Sequence, residues 1–337
     1  MREILTQPVA TQALPLAKAH ALLAEALERV EAVLSETVSS TVEMIPEVSH
    51  HLISSGGKRI RPTLLLLMAQ ACRVDVNQGV ELSVATELFH NASLLHDDVV
   101  DRGHLRRGVT AAPRVFGNSA SVLVGDFMMA RAFGIVVRHG DLDLLRELSL
   151  VISAMAEGEV LQLIRSGKVT LSLPNYEEII SGKTAGLFSW CCRAGASLGP
   201  ARAELVEAAA KFGKAFGMAF QITDDVLDYT AAPEQSGKDL ANDLQQGKTT
   251  LPLLLACEQD HKLLKIVETV AESEPTEKDC FEIVRRVNNT QAISLALNYA
   301  RQYSQKAIDS LAVVTDSSAV EHLRQLANHV TDRIELT

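Results

Sequence analysis

Aromatic residues are scarce in this chain, 4% of 337 with a single Trp, and its 19 Gly and 10 Pro are modest for the length. A β-rich fold with many tight turns draws on all three, so the balance favours packed helices and an all-α fold is expected. The five Cys are odd in number, and neither a C-x-x-C pair nor a Cys/His zinc spacing occurs. That excludes a disulfide framework or a zinc site as the organising feature, and a reducing, cytoplasmic setting fits. Positive charge is short too: 32 Lys+Arg stand against 42 Asp+Glu, a formal net charge of −10. No basic stripe for nucleic acid is expected, and an anionic ligand would need local cations. No N-terminal basic-then-apolar signal appears, and apolar runs such as PTLLLLMAQAC reach about half of the ~20 residues of a membrane span, so stable membrane insertion is not expected.

Against that background, aspartate is concentrated in two places. HDDVVDRGHLRRG, residues 96–108, carries Asp97, Asp98 and Asp101 ahead of Arg106 and Arg107. Far downstream QITDDVLD repeats the pattern as Asp224, Asp225 and Asp228. Each triad follows an apolar run of helical rhythm, so Asp97 and Asp101 lie one turn apart on one face, as do Asp224 and Asp228. Like charges at that spacing repel by a few tenths of a kcal/mol per pair unless a cation neutralises them. One such cluster reads as an acidic, solvated helix end. Two in apolar contexts read as a shared site for metal and phosphate, and hard oxygen ligands on rigid helices suit Mg²⁺ that completes its shell with water and substrate phosphates.

Around the triads the chain reads as helices. From Leu14 to Val38 the positions Leu23, Leu27, Val30 and Leu34 step by four and three, the mark of an amphipathic scaffold helix. SSGGKRIRP, residues 54–62, is the strongest basic loop, and Pro62 falls in the first turn of the next helix. A helix over about 63–72 is followed by the apolar segment 80–100, which carries His90 two turns before the first aspartates. Two more helices follow, in GDFMMARAFGIVV and LDLLRELSLVISAMAEGEVLQLI, with Asp141 the N-cap of the second. LPNYEEIISGKTAGLFSWCCRAGASLGP reads as one helix bracketed by Asn175 with two Glu and by Gly199-Pro200, with Lys183 and Thr184 inside it. Residues 203–229 are helical up to the second triad, a polar loop with Lys238 and Lys248 follows, and Pro252 marks a renewed helix. Three more helical segments, with stops near Asn288 and Ser317, carry no candidate chemistry. No linker or repeat divides the chain, so one domain over 1–337 is expected.

Carboxylate-held Mg²⁺ facing Lys and Arg is what holding a diphosphate requires, and it neutralises the charge that builds up when diphosphate leaves. A P-loop is disfavoured, because GGKRIRP lacks the Gly-x4-Gly-Lys-Ser/Thr spacing, and no helix-borne His-Glu-x-x-His occurs. GGKRIRP, LLHDDVVD followed by RRG, GKT, FQITDDVLD and GK…GKTTLP stand in this order, and with them the chain closely resembles the trans-polyprenyl diphosphate synthases. The resemblance covers roughly 54–252, with helical scaffold at both ends, and its look is nearest to long-chain members such as octaprenyl diphosphate synthase. It implies an all-α, single-domain bundle around a central cavity, working as a homodimer.

By resemblance, Asp97, Asp101, Asp224 and Asp228 bridge about three Mg²⁺ ions to the diphosphate of an allylic substrate, with Asp98 and Asp225 in support. Lys58, Arg61, His90 and Arg107 match the pocket for isopentenyl diphosphate, which binds without the metals. Arg106, Lys183, Thr184, Gln221 and Lys238 match contacts to the allylic diphosphate, and Lys248 belongs to the last substrate-binding motif. Taken alone, His90 reads as a core histidine and Lys183 as a helix lysine whose stem lies on apolar surface. Glu157 and Gln162 read equally as cavity lining or as packing, and Cys191 and Cys192 as core. Arg102, Gly103 and His104 stand where many relatives carry acids, and Ala241 where a Gly is usual. A class I terpene cyclase would have no use for GGKRIRP, and a non-catalytic synthase subunit would be expected to have eroded aspartates.

Product length is read one turn before Asp97. Ala92 and Ser93, roughly 6 to 8 Å up the axis, are small, whereas short-chain relatives commonly carry aromatics there. A helix of ~20 residues spans ~30 Å, so an unblocked channel takes a long tail, and an all-trans product of about eight isoprene units, suited to a quinone side chain, is expected. Phe89, further up the helix, is the residue that would narrow the channel toward a farnesyl or geranylgeranyl product.

Overall fold

The computed structural model describes residues 14–166, 172–200, 202–230, 242–271 and 275–332. Helices α1 (Leu14–Leu22), α2 (Ala24–Thr37), α3 (Met44–Ile53) and α4 (Ile60–Ala71) lead to the long α5 (Val80–Val100). A two-stranded ribbon, β1 (Leu105–Arg106) and β2 (Val109–Thr110), separates α5 from α6 (Ala112–Phe116), α7 (Asn118–His139) and α8 (Leu142–Arg165). Then come α9 (Leu173–Ile180), a π turn (Ser181–Ala185), α10 (Gly186–Ser197) and α11 (Ala203–Thr230). The remaining helices are α12 (Asn242–Gln245), α13 (Leu251–Gln259), α14 (His261–Ala271), α15 (Glu277–Asn288), α16 (Ala292–Ser310) and α17 (Ser318–Asp332).

Helices α4 and α5 are apolar almost all round, the pattern of helices buried on every side, and both lie in the core. Leu64, Leu65, Leu66 and Leu67 are all fully enclosed, each worth about 1.5–3 kcal/mol of burial. Helix α7 packs along α5, and α11 is flanked by α10 and α16. Two apolar clusters result. One joins α2–α5, α7, α8, α10, α17 and the first half of α11, and the other joins the end of α11 to α13–α16. Helix α11 runs through both, so the segment bearing the second triad is braced by a core of its own. Trp190 in α10 is buried, and its Nε1–H donates to the Leu144 carbonyl at 3.0 Å, tying α10 to the start of α8.

Several expectations change in detail. The scaffold helix predicted from Leu14 to Val38 breaks at Leu23 into two. The all-α expectation holds apart from this short ribbon, in which Arg107 (φ 52°) and Gly108 (φ 78°) turn the chain back as a two-residue hairpin. The helix expected across GKT is interrupted by the π turn, and it starts at Leu173 with Ser172 at its N-cap rather than at Asn175. Asp141 caps α8 as expected, its side chain accepting from Leu144 N at 2.9 Å. Apolar runs half the length of a membrane span understated α7, whose 22 residues are long and apolar enough to cross a bilayer by length and composition. One side of α7 is packed on α5, while Leu123 and Val137 on it are exposed.

Candidate active site

Helix α5 presents Glu87, His90, Asp97 and Asp101 at spacings of three, seven and four, which puts them on one stripe. Asp97 and Asp101 meet two lysines. The Lys248 ammonium donates to Asp101 Oδ2 at 2.7 Å, and Lys183 pairs with Glu159 and donates to Gln162 Oε1 at 3.0 Å beside Asp97. Burial, with help from Glu159 and Asp101, raises the Asp97 carboxyl to about 6 against the pull of Lys183 and Lys248. Burial opposes the charge of Lys183, but Asp97 and Glu159 outweigh it and its pKa rises. The crowding of carboxylates that the sequence implied is therefore present, and two lysines already answer part of it. Asp98 points the other way. It is buried, and Arg106 donates to its Oδ1 through Nε at 2.9 Å and through Nη2. Arg106, expected on the allylic diphosphate, is thus engaged with Asp98.

The second triad divides in the same manner. Asp224 is exposed and Asp228 half-buried, while Asp225 is enclosed and accepts from Tyr176 Oη at 2.6 Å and Gln221 Nε2 at 2.8 Å. Burial pushes the Asp225 carboxyl well up, reinforced by Asp243 and opposed by those two hydrogen bonds. Thr184 Oγ1 donates to Gln221 Oε1 at 2.7 Å, so a chain of hydrogen bonds runs from the π turn to Asp225. The π turn fits because α8 is close. A Cβ on Gly182 would lie 2.6 Å from the Ala154 carbonyl oxygen, so only glycine allows Lys183 to reach Glu159 and Gln162 from there. Such single-turn π segments are common at functional sites.

A second path joins the triads. Asp228 Oδ2 accepts from Asp243 N at 3.1 Å, Lys248 N donates to the Asp243 carbonyl at 2.8 Å, and the Lys248 side chain reaches Asp101. Lys238 and Ala241 lie outside the described residues.

The basic pocket assembles at the start of α4 and one turn above His90. Arg61 is half-buried with its guanidinium 4.5 Å from the Phe188 ring centroid, and its buried Nε has no partner. Arg107 donates to the Gly56 carbonyl, and Lys58 is exposed on the same loop. Glu87 is the carboxylate these cations share. Burial raises its pKa, and Arg59, Arg61 and Arg107 pull it down. Burial together with the charges of Arg61 and Arg107 holds His90 well below the ordinary histidine value of 6.5, so the ring is neutral.

Ser93 is half-buried and shares the stripe of His90 and Asp97, whereas Ala92 and Phe89 are fully enclosed. Phe89 packs edge-on against Phe133 of α7, with centroids 5.0 Å apart. A cavity of about 640 Å³ opens behind the π turn, between α10, α11 and α16, and includes Glu177, Ser181, Lys214 and Tyr303 but neither triad. Sequence reasoning did not single out Glu87, Glu159, Tyr176 or Asp243. Glu87 alone carried a signal, a charged residue set in the otherwise apolar helical stretch VATELFH.

Among the described residues no three His, Cys, Asp or Glu side chains converge as a closed metal site. Mg²⁺ needs no such cluster, because it takes one or two carboxylates and leaves the rest of its shell to water and substrate.

A family model of polyprenyl synthetase matches residues 42–286. The octaprenyl diphosphate synthase of Escherichia coli (strain K12) is 36% identical over 319 residues, covering 94% of this chain and 99% of that protein. The all-trans-nonaprenyl-diphosphate synthase (geranyl-diphosphate specific) of Rhodobacter capsulatus is 35% identical, over 90% of this chain and 93% of that one. The crystal structure of a polyprenyl synthase from Caulobacter crescentus CB15 complexed with calcium and isoprenyl diphosphate matches with a TM-score of 0.92 at 37% identity, covering 95% of this chain and 98% of that chain. With two aspartate triads joined through the π turn and Lys248, a basic pocket beside them and these likenesses over almost its whole length, the chain belongs to the polyprenyl synthetase family.

Proposed function

We propose that this protein condenses isopentenyl diphosphate with an allylic diphosphate, releasing pyrophosphate and building a medium-to-long all-trans polyprenyl chain of about eight units, the small, half-buried Ser93 on the stripe of Asp97 putting no bulk in the way of a long tail. One observation carries it: Lys248 is bonded to Asp101 while its own backbone and Asp243 lead to Asp228, so two distant triads form one anionic site ready for a cation-bridged diphosphate. The long-chain products named for the relatives support the length.

Asp97, Asp101, Asp224 and Asp228 would hold magnesium, which neutralises the leaving diphosphate when bound. Lys183 and Lys248 add fixed positive charge on the same side, and Thr184 and Gln221 orient the second triad. Lys58, Arg61 and Arg107 bind the diphosphate of the second substrate with neutral His90 as a hydrogen-bonding neighbour. The allylic C–O bond ionises, the double bond of isopentenyl diphosphate attacks the cation, and a proton passes to the departing pyrophosphate. No protein nucleophile is needed, because orientation and exclusion of water do the rest.

The protein acts as a homodimer through the apolar face of α7 and α8, and its five free thiols suit the cytoplasm. Incubation with Mg²⁺, labelled isopentenyl diphosphate and primers of rising length, followed by sizing of the dephosphorylated products, tests the reaction and the length together. Products that stop at fifteen carbons, or none with any primer, would overturn it.

A further inference from the structure

Arg59 stands in sequence between Lys58 and Arg61, two of the cations assigned to isopentenyl diphosphate, yet its guanidinium is fully engaged elsewhere. It precedes α4 with φ 45° and ψ 36°, a left-handed conformation that a residue with a Cβ adopts only under constraint. Two carboxylates from two other helices supply the constraint. Glu31 of α2 accepts from Nε and, at 3.0 Å, from Nη2 in a two-pronged pair, and Glu87 of α5 accepts from Nη1 at 3.2 Å. All three guanidinium nitrogens are thereby used, and the Arg59 side chain is 11% exposed while Glu31 is 47% exposed. A surface carboxylate of a scaffold helix thus reaches the binding loop.

The loop itself is squeezed. A Cβ on Gly57 would lie 2.7 Å from Arg59 Nη1 and 3.3 Å from Arg107 Nη1, so two guanidinium groups occupy the space a side chain would need there. Arg107 donates to the Gly56 carbonyl, and the Arg59 carbonyl accepts from Thr63 N at 3.0 Å and Thr63 Oγ1 at 2.8 Å, closing the first turn of α4. Lys58 and Arg61 leave this backbone on either side of Arg59, so the relative direction of their side chains depends on the angle held at that one residue.

We propose that Glu31, Arg59 and Glu87 form a clamp that positions Lys58 and Arg61 for isopentenyl diphosphate, with Arg59 a positioning residue that binds no phosphate itself. The proposal rests on the pocket assigned above. Planar, two-pronged pairing is what fixes direction as well as charge, and a lysine cannot reproduce it. Without the clamp, residue 59 relaxes to negative φ and the two neighbouring cations no longer converge on one anion.

The test is steady-state kinetics on the full chain with Glu31→Gln, Arg59→Gln, Arg59→Lys and the Glu31→Gln/Arg59→Gln pair. Each is expected to raise the KM for isopentenyl diphosphate by about fivefold or more, with the KM for the allylic primer and the saturated kcat within about twofold. The pair should be no worse than Arg59→Gln alone, because the residues act as one unit. Glu31→Gln alters an exposed side chain, so it reports on a folded protein. An unchanged KM for isopentenyl diphosphate, equal rises for both substrates, additive losses, or full rescue by Arg59→Lys would each overturn the clamp. Lys58→Ala run alongside keeps the two readings apart: if it too leaves that KM unchanged, the pocket assignment fails and takes the clamp with it.

Discussion

Within each triad the aspartates divide by burial, so substitutions should divide by symptom. Asp224 is exposed, and Asp224→Ala is expected to shift stability by no more than about 0.5 kcal/mol while turnover falls about 100-fold or more. Asp98 is 1% exposed and holds Arg106, which is itself 22% exposed, so Asp98→Ala should cost about 2–3 kcal/mol, less than a fully buried pair would. Urea unfolding beside turnover at saturating Mg²⁺ separates the two, and wild-type turnover in Asp224→Ala would remove it from the metal site. His90 makes a different prediction. Its folded pKa lies below the unfolded 6.5, so as pH falls through 6.5 the unfolded chain takes up a proton that the folded chain refuses. The stability from His90 is full above 6.5 and declines on the acid side, by at most about 1.4 kcal/mol per pH unit. Replacing it by Asn should flatten the acid limb of a stability-against-pH curve, and an unaltered limb would mean the ring is not held neutral.

Among the elements, the π turn and α5 carry the most specific expectations. Gly182→Ala places a Cβ 2.6 Å from the Ala154 carbonyl oxygen, so α8 and the π turn must part, at about 1–3 kcal/mol, and Lys183 loses Glu159 and Gln162. Turnover should fall with little change in the KM for isopentenyl diphosphate. On α5, Ser93→Phe is the informative substitution for product length, because Ser93 is half-buried on the stripe of Asp97 whereas Ala92 is sealed in the core and a Phe there would overpack it. Ser93→Phe should shorten the product to about three or four units, as bulk one turn from Asp97 forms a floor. An unchanged ladder of products would remove Ser93 from the channel. The helices α5 and α11 were legible because their apolar rhythm and the i, i+4 spacing of their aspartates are local facts. The π turn was not, since one extra residue in a helical turn leaves no periodicity to read, and Gly182 looks like any helix glycine until Ala154 is seen behind it. Glu159 and Tyr176 were illegible for another reason: the partner of each, Lys183 or Asp225, is brought to it only by packing of a different element. Gln162 could be weighed from the sequence but not decided, because the bond it accepts from Lys183 comes from a different element.

For the whole molecule, α7 and α8 leave Leu123, Val137, Leu150, Val160, Leu163 and Ile164 exposed on adjacent helices, more apolar surface than scattered residues would present. If this face joins two copies, Leu123→Asp with Leu163→Asp should give a monomer in sedimentation velocity, and a dimer that survives both changes would place the interface elsewhere. The same α8 that offers this outer face is tied at its start to Trp190 and bears Glu159 and Gln162 near its end, so outer face, core and candidate site share one rod. Because Trp190 is the one tryptophan in the chain, its fluorescence has a single origin. Emission from that buried indole reports directly on whether α8 stays docked against α10, and any tilt of α8 on ligand binding becomes an optical signal that needs no label.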